Sequence, residues 1–331
     1  MKRYPWPNYF QNNRHFAFYI LFFTYTGLTV LTGQESGWHK VNPFIGTAEH
    51  GHVYPGATVP FGTVQLSPDN GTQGWDWCSG YNWVDSTIVG FSHTHLSGTG
   101  IGDLCDILVM PTSKKITWSE VDNEPKNRPF LSKFSHENEK AAPGFYQVLL
   151  ENGIMAELTA GVHTGIHRYS FPADQLKSVI IDLGYAINWD KPTQTGFSQI
   201  APQLITGYRY STGWAKNQKI YFAVSFSEPI QEHHIWLQHW KDGEMENNKG
   251  SKAQFIFANN KENKPLILKV GISAANEEGA LAALKDVEKD SFDDLKDFAQ
   301  YLWKSQGFKI SVESRSDKLK TQFYTALYRS Q

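Results

Sequence analysis

Between residues 144 and 272 this chain sets short apolar, β-branched and aromatic runs between turn-forming residues, and no apolar period near that of a helix interrupts them. Gly144–Leu150, Met155–Ala160, Gly165–Phe171, Ser178–Leu183, Lys219–Phe226, Ala253–Phe257 and Leu266–Ile272 read as strands bounded by Gly, Pro, Asn and Asp. Strands that follow one another without crossover helices pair antiparallel, and two such sheets bury their apolar rows by stacking face to face. The expected fold is therefore mainly β: a large antiparallel β-sandwich over residues 38–275, of supersandwich type. The period changes near Asn276. Glu277–Lys289 and Ser291–Lys304 space their apolar residues as helices do, and Ser291 with Asp293 and Asp294 makes an N-cap and a favourable first turn. We read 276–306 as a helical linker. Residues 307–331 then offer a short strand, Phe308–Val312, and a helix from Asp317 to Ser330 with Leu319, Phe323 and Leu327 along one side.

A chain of 331 residues with 40% hydrophobic residues has enough apolar material for a core. The net charge of −2 is mixed along the sequence, so no basic stripe calls for nucleic acid and no acidic block for a disordered tail. Beyond residue 33 no apolar run reaches the roughly 20 residues of a spanning helix. Residues 1–35 differ from the rest: Lys2, Arg3 and Arg14 precede an apolar stretch from Phe16 to Gly33, the pattern of a signal peptide or N-terminal anchor. Export to a periplasmic or extracellular setting follows. There disulfides are permitted, but Cys78 and Cys105 are expected as two buried free thiols.

The stretch from Val41 to Thr112 carries the chemistry. It runs V-N-P-F-I-G-T-A-E-H-G-H-V-Y-P-G-A-T-V-P-F-G-T-V-Q-L-S-P-D, then G-W-D-W-C-S-G-Y, then G-F-S-H-T-H-L-S-G-T-G-I-G-D-L-C-D-I-L-V-M-P-T. Glycines permit close backbone approach, and Trp75 and Trp77 offer flat apolar faces with an N–H at the edge. A pyranose needs such a face. Its hydroxyls need polar partners, for which Asp76, His50, His52, Gln65, Asp69, His93 and His95 have the right chemistry. The 14% aromatic content, including 11 Trp, agrees with carbohydrate contact. His93-Thr-His95 would place both rings on one strand face, which a metal could use; no third ligand with suitable spacing is evident, and an internal hydrogen-bond brace is the expectation. Gly98–Gly102 lacks the Lys-Ser/Thr ending of a phosphate loop and reads as a tight turn.

These motifs, in this order, resemble the opening of the N-terminal domain of glycoside hydrolase family 92, the calcium-dependent exo-acting α-mannosidases. The resemblance covers about residues 38–331 and is most specific before Pro111. It departs from the family at Ala48-Glu49, where two glycines are usual. It implies a sandwich contributing one wall of a mannose pocket, with Phe61, Gly62, Trp75, Asp76 and Trp77 as substrate-binding residues: Trp75 facing the terminal mannose, Asp76 accepting from a hydroxyl, and Gly62 admitting main chain to the ring. It implies a mannose-containing glycan as substrate, α-1,2 linkages among those cut, and Ca2+ as cofactor. In the family the F-Y-T-A-L-Y helix, here at residues 323–328, opens an α/α barrel holding the general acid, the general base and most calcium ligands. This chain is therefore expected to be a truncated part, inactive alone, whose partner is that missing catalytic barrel; no catalytic residue and no metal ligand is assigned within it. The alternatives are a stand-alone carbohydrate-binding module and a structural domain that docks the barrel.

Overall fold

The computed structural model describes residues 37–117, 125–236, 251–260, 263–307 and 309–331. The expected leader, residues 1–35, lies outside them. In chain order the strands are β1 (Ala57–Thr58), β2 (Gln65–Asp69), β3 (Thr87–Ile88), β4 (Gly90–Ser92), β5 (Leu108–Thr112) and β6 (Ser132–Ala142). There follow β7 (Phe145–Leu150), β8 (Met155–Ala160), β9 (Thr164–Ser170), β10 (Lys177–Asp182) and β11 (Lys191–Ala201). The last are β12 (Leu204–Thr212), β13 (Gln218–Phe226), β14 (Glu232–Trp236), β15 (Lys252–Phe257) and β16 (Leu266–Ser273). They pair antiparallel in two sheets, of order β1-β2-β4-β5-β10-β15-β14 and β11-β12-β13-β16-β9-β8-β7-β6-β3. The expected sandwich is formed.

Side-chain alternation explains which face of each strand is buried. In β7, Tyr146, Val148 and Leu150 point into the core while Phe145, Gln147 and Leu149 are half-buried. In the first sheet β5, β10 and β15 are instead buried along their whole length. Described residues on either side of 118–124 contact these strands: the Gln254 amide donates to Lys114 O at 2.7 Å and accepts from Ile116 N at 3.0 Å, and Arg128 pairs with Asp182 at 2.6 Å. Helices cover the second sheet. In α1 (Glu277–Asp286), Ala280 and Leu284 pack on Ala223 of β13; in α2 (Phe292–Leu302), Phe292 and Leu295 pack on Ile166 of β9. Asn276 caps the first, and Ser291 with Asp294 forms a reciprocal capping box on the second.

The helix α3 (Asp317–Arg329) turns back onto the loops that precede β2. Arg329 donates to Tyr54 O at 2.7 Å and to Pro43 O, Thr325 accepts from Asn42 N at 3.0 Å, and Trp303 donates its indole N–H to Thr58 O at 2.7 Å. The strand expected at Phe308–Val312 is absent over its described residues 309–312. Val312 N donates to the Tyr324 hydroxyl at 3.1 Å, so α3 takes the backbone group that a sheet partner would have used.

Two polar devices tie the sheets together across the core. Arg209, fully buried on β12, donates to Asp106 at 2.5 Å, to Asp190, and to the carbonyls of Leu183 and Tyr185 at 3.1 and 2.9 Å. Burial disfavours its charge, but Asp106 and Asp190 outweigh that and hold the guanidinium above its ordinary pKa. The second device is a relay whose directions are fixed by its ends. Ile107 O can only accept, so His93 Nδ1 carries the proton at 2.8 Å; His93 Nε2 then accepts from His167 Nε2 at 3.0 Å, and His167 Nδ1 accepts from the Tyr169 hydroxyl at 2.7 Å. Both rings must be neutral for this to hold. Burial pushes His93 down to about 4, against an ordinary 6.5, with the hydrogen bond to Ile107 opposing the shift; burial pushes His167 down as well, and the His93 ring adds to that.

Removing one partner of a buried ion cluster leaves the others uncompensated, so Arg209→Met is expected to cost about 3–5 kcal/mol of unfolding free energy. Urea denaturation is the check, and a loss below about 1 kcal/mol would show that the cluster does not tie the sheets. The relay predicts a pH dependence. His93 binds its proton more weakly in the folded chain, at about 4, than in the unfolded one, at 6.5. Its stabilisation is thus complete above pH 6.5 and is lost as the pH falls towards 4, by roughly 3 kcal/mol at most. A His93→Gln variant should flatten the stability curve in that window; an unchanged slope would refute the assignment.

Candidate functional site

A tight turn over Trp75–Trp77 presents the Trp75 indole, which is 56% exposed. Its ring lies edge-on against His52, with centroids 4.3 Å apart, and tilted against His50 at 4.9 Å. Below it Asp76 Oδ1 is 2.6 Å from His50 Nδ1 and 4.0 Å from His52 Nε2. Two elements hold the turn in place. Asn188 clamps Gly74 through both halves of its amide, at 3.2 and 3.0 Å, and Gly100 lies directly against the indole. A Cβ at Gly100 would come within 2.7 Å of Trp75 Nε1, so this close approach requires glycine.

Burial pushes the His52 ring below its ordinary pKa; Asp76 opposes the shift and His50 adds to it. The His52 Nε2 atom and the Trp77 indole N–H are buried without a hydrogen-bond partner among the described residues. Each unpaired buried polar group of this kind costs about 1–3 kcal/mol.

Phe61 and Gly62 form a second cluster. Phe61 is 78% exposed at φ +54°, and its N–H donates to Gln331 O at 3.0 Å. At Gly62 a Cβ would meet Val59 Cγ2 at 2.7 Å, so this glycine is required by packing within its own turn. Among the described residues no hydrogen bond or ring contact joins Phe61 and Gly62 to Trp75, Asp76 and Trp77. Sequence reasoning missed two other exposed indoles that share the Trp75 surroundings. Trp189, 60% exposed, follows the clamp residue Asn188 and donates its N–H to Gly102 O at 3.0 Å. Trp214, 58% exposed, sits at the tip between β12 and β13 and donates its N–H to Asp103 at 2.7 Å. Both stand beside turn-forming residues in the sequence, in Asn-Trp-Asp and Gly-Trp-Ala, and that is the signal that could have found them.

The remaining polar candidates face inward. His93 belongs to the relay, and His95, beyond the end of β4, points elsewhere: its Nδ1 donates to Gln65 O at 2.7 Å, and its Nε2 is 3.3 Å from Asp69 Oδ1 and 3.1 Å from Ser92 Oγ. Asp69, His95 and Cys105 bring their ligand atoms within 4.8 Å of one another, fully inside the core. Their bonding capacity is taken up internally, since Ser92 N also donates to Asp69 at 3.0 Å. Calcium takes six to eight oxygens, and this cluster, with one carboxylate, one imidazole and one thiol, does not fit it. Cys78 and Cys105 are free and buried, and burial pushes both thiols up. Asp103 is 3% exposed and already accepts from Leu104 N at 2.9 Å and from Trp214 N.

Residues 40–273 match the glycosyl hydrolase family 92 N-terminal domain. The chain belongs to that family. Among solved structures it is similar to the family GH92 α-mannosidase of Bacteroides thetaiotaomicron in complex with mannoimidazole, at 31% identity and a TM-score of 0.77, covering 89% of this chain and 40% of that one. It is also similar to an inverting family GH92 mannosidase of the same organism, at 25% identity and a TM-score of 0.73, covering 92% and 40%. A secreted glycosidase of Arthroderma benhamiae is 26% identical over 335 aligned residues, covering 88% of this chain. The chain spans about 40% of the length of each of these relatives.

Proposed function

We propose that this chain forms one wall of the mannose pocket of an exported, calcium-dependent, inverting exo-α-mannosidase that trims terminal α-1,2-linked mannose from glycans. The observation that carries the reading is the exposed Trp75 indole packed against His50 and His52, with Asp76 beside His50, in a chain of family 92. An indole face accepts the apolar face of a pyranose, and the imidazole and carboxylate below it suit ring hydroxyls. The named relatives, two mannosidases and a secreted glycosidase, support the substrate and the export.

Inverting hydrolysis needs one carboxyl to protonate the leaving oxygen and one to activate water, about 6.5–9.5 Å apart. Among the described residues near the Trp75 turn, Asp76 is engaged by His50, Asp103 by two backbone amides, and Asp69 and Asp106 are sealed in the core. In our reading the acid, the base and the calcium ligands lie on other parts of the protein. The chain alone then binds without cleaving.

Hydrolysis of α-1,2-mannobiose with calcium present, by this chain and by a longer protein carrying a family 92 barrel, tests the proposal. No mannose release by the chain and release by the longer protein is expected. Trp75→Ala in the longer protein should lower kcat/KM by roughly tenfold or more, about 1.4 kcal/mol of lost contact. Release by the chain alone would overturn the division of labour; an unaffected Trp75→Ala variant would overturn the pocket wall.

A further inference from the structure

The rim extends beyond the Trp75 turn, and one short segment organises all of it. Gly100 lies under Trp75, Gly102 O accepts from Trp189 N, and Asp103 accepts from Trp214 N. The Trp75 indole and the backbones of two further exposed tryptophans thus meet four consecutive residues. A ligand longer than one ring can touch more than one of them.

Trp214 also has a pocket of its own. Leu96, Asp103, Leu104, Trp214, Ala215 and Gln218 line an open hollow of about 300 Å³. The volume lies at the small end of ligand sites, the walls are an indole and two leucines, and the polar groups come from one carboxylate and one amide. This is the composition that holds a pyranose: a flat apolar face for stacking and a few fixed groups for hydroxyls. The surrounding tip adds exposed polar side chains, Lys216 and Asn217. The walls are also held firmly. Asp103 is pinned by two backbone amides, and the Gln218 amide donates to Asp106 at 2.9 Å, so the pocket rests on the Arg209 cluster. A rigid support lowers the ordering cost of binding.

We infer that Trp214 and its pocket, with Trp189 between, form a distal subsite for a further sugar of an α-linked manno-oligosaccharide, so that this domain reads chain length as well as the terminal residue. The inference rests on the sugar-binding reading of the Trp75 turn. Occupation of both places by one ligand raises affinity through the second contact without a second association cost.

The test is calorimetric titration of this chain with mannobiose and with a linear α-mannotetraose, for the native sequence, Trp214→Ala, Trp214→Phe and Trp75→Ala. Native protein should bind the tetraose at least about tenfold more tightly than the biose, and Trp214→Ala should abolish that gain while leaving biose affinity unchanged. Trp214→Phe, which keeps a ring face, should retain part of it. Because Trp214 is exposed, each variant should keep its thermal midpoint. Equal affinities for biose and tetraose, or an undiminished gain in Trp214→Ala, would overturn the distal subsite while leaving the Trp75 reading intact. Absence of binding at either length would overturn both, and a Trp75→Ala variant that binds the biose normally would overturn the reading beneath.

Discussion

The buried contact between Arg209 and Asp106 is the constraint on which the rest of this molecule depends. It joins β12 of one sheet to the segment leading into β5 of the other, over 103 residues of sequence. The segment it holds is costly to form. Leu104, Cys105 and Ile107 all adopt positive φ, at 69°, 58° and 59°, a region that costs an ordinary residue about 1–2 kcal/mol and a β-branched one more. The cost is offset because Asp106 accepts from Arg209, Thr94 and Gln218 at once. Charge-assisted bonds in a dry interior are strong enough to hold such a backbone.

What this arrangement secures is the course of the chain just before it. Gly100, Gly102 and Asp103 enter the strained segment directly; Gly100 packs on the Trp75 indole, and the other two accept from the backbones of Trp189 and Trp214. The rim is therefore only as fixed as the core ion cluster beneath it. On the other side α3 acts similarly, since Arg329 and Gln331 bond the loops carrying Tyr54 and Phe61. The displayed aromatics stand on braced backbone at each place. That is the condition for binding a sugar without first having to order the site.

The sheets were legible where apolar and β-branched runs lie between turn-forming residues. Met155–Ala160 was read to the residue, and β7, β9, β10, β13, β15 and β16 lay within a residue of their expected starts. The strand β11 was missed because it is an edge strand with most of its length exposed, Lys-Pro-Thr-Gln-Thr-Gly, which leaves no apolar period to detect. The helices were legible from their period and caps. The site was legible only in part. A motif such as Trp75-Asp76-Trp77 announces itself because its residues are neighbours, whereas Trp189 and Trp214 join it through backbone contacts to Gly102 and Asp103 that no local pattern encodes. His93 and His95 show the same limit: two residues apart, they serve unrelated networks, because the chain leaves β4 at Ser92 and the strand alternation no longer applies.

Phe61 shows how display itself is informative. A phenylalanine 78% exposed gains little from burial, and at φ +54° its backbone is strained as well. Neither cost is repaid by the side chain's own contacts in the sandwich. What holds the conformation is the backbone, through the Gln331 carbonyl, together with the neighbouring turn in which Gly62 packs on Val59. The backbone thus holds this ring outward, and Trp75, Trp189 and Trp214 are likewise exposed. Four aromatic side chains are displayed in this way, on backbone fixed by polar contacts. They fit a surface that meets ligand or partner directly.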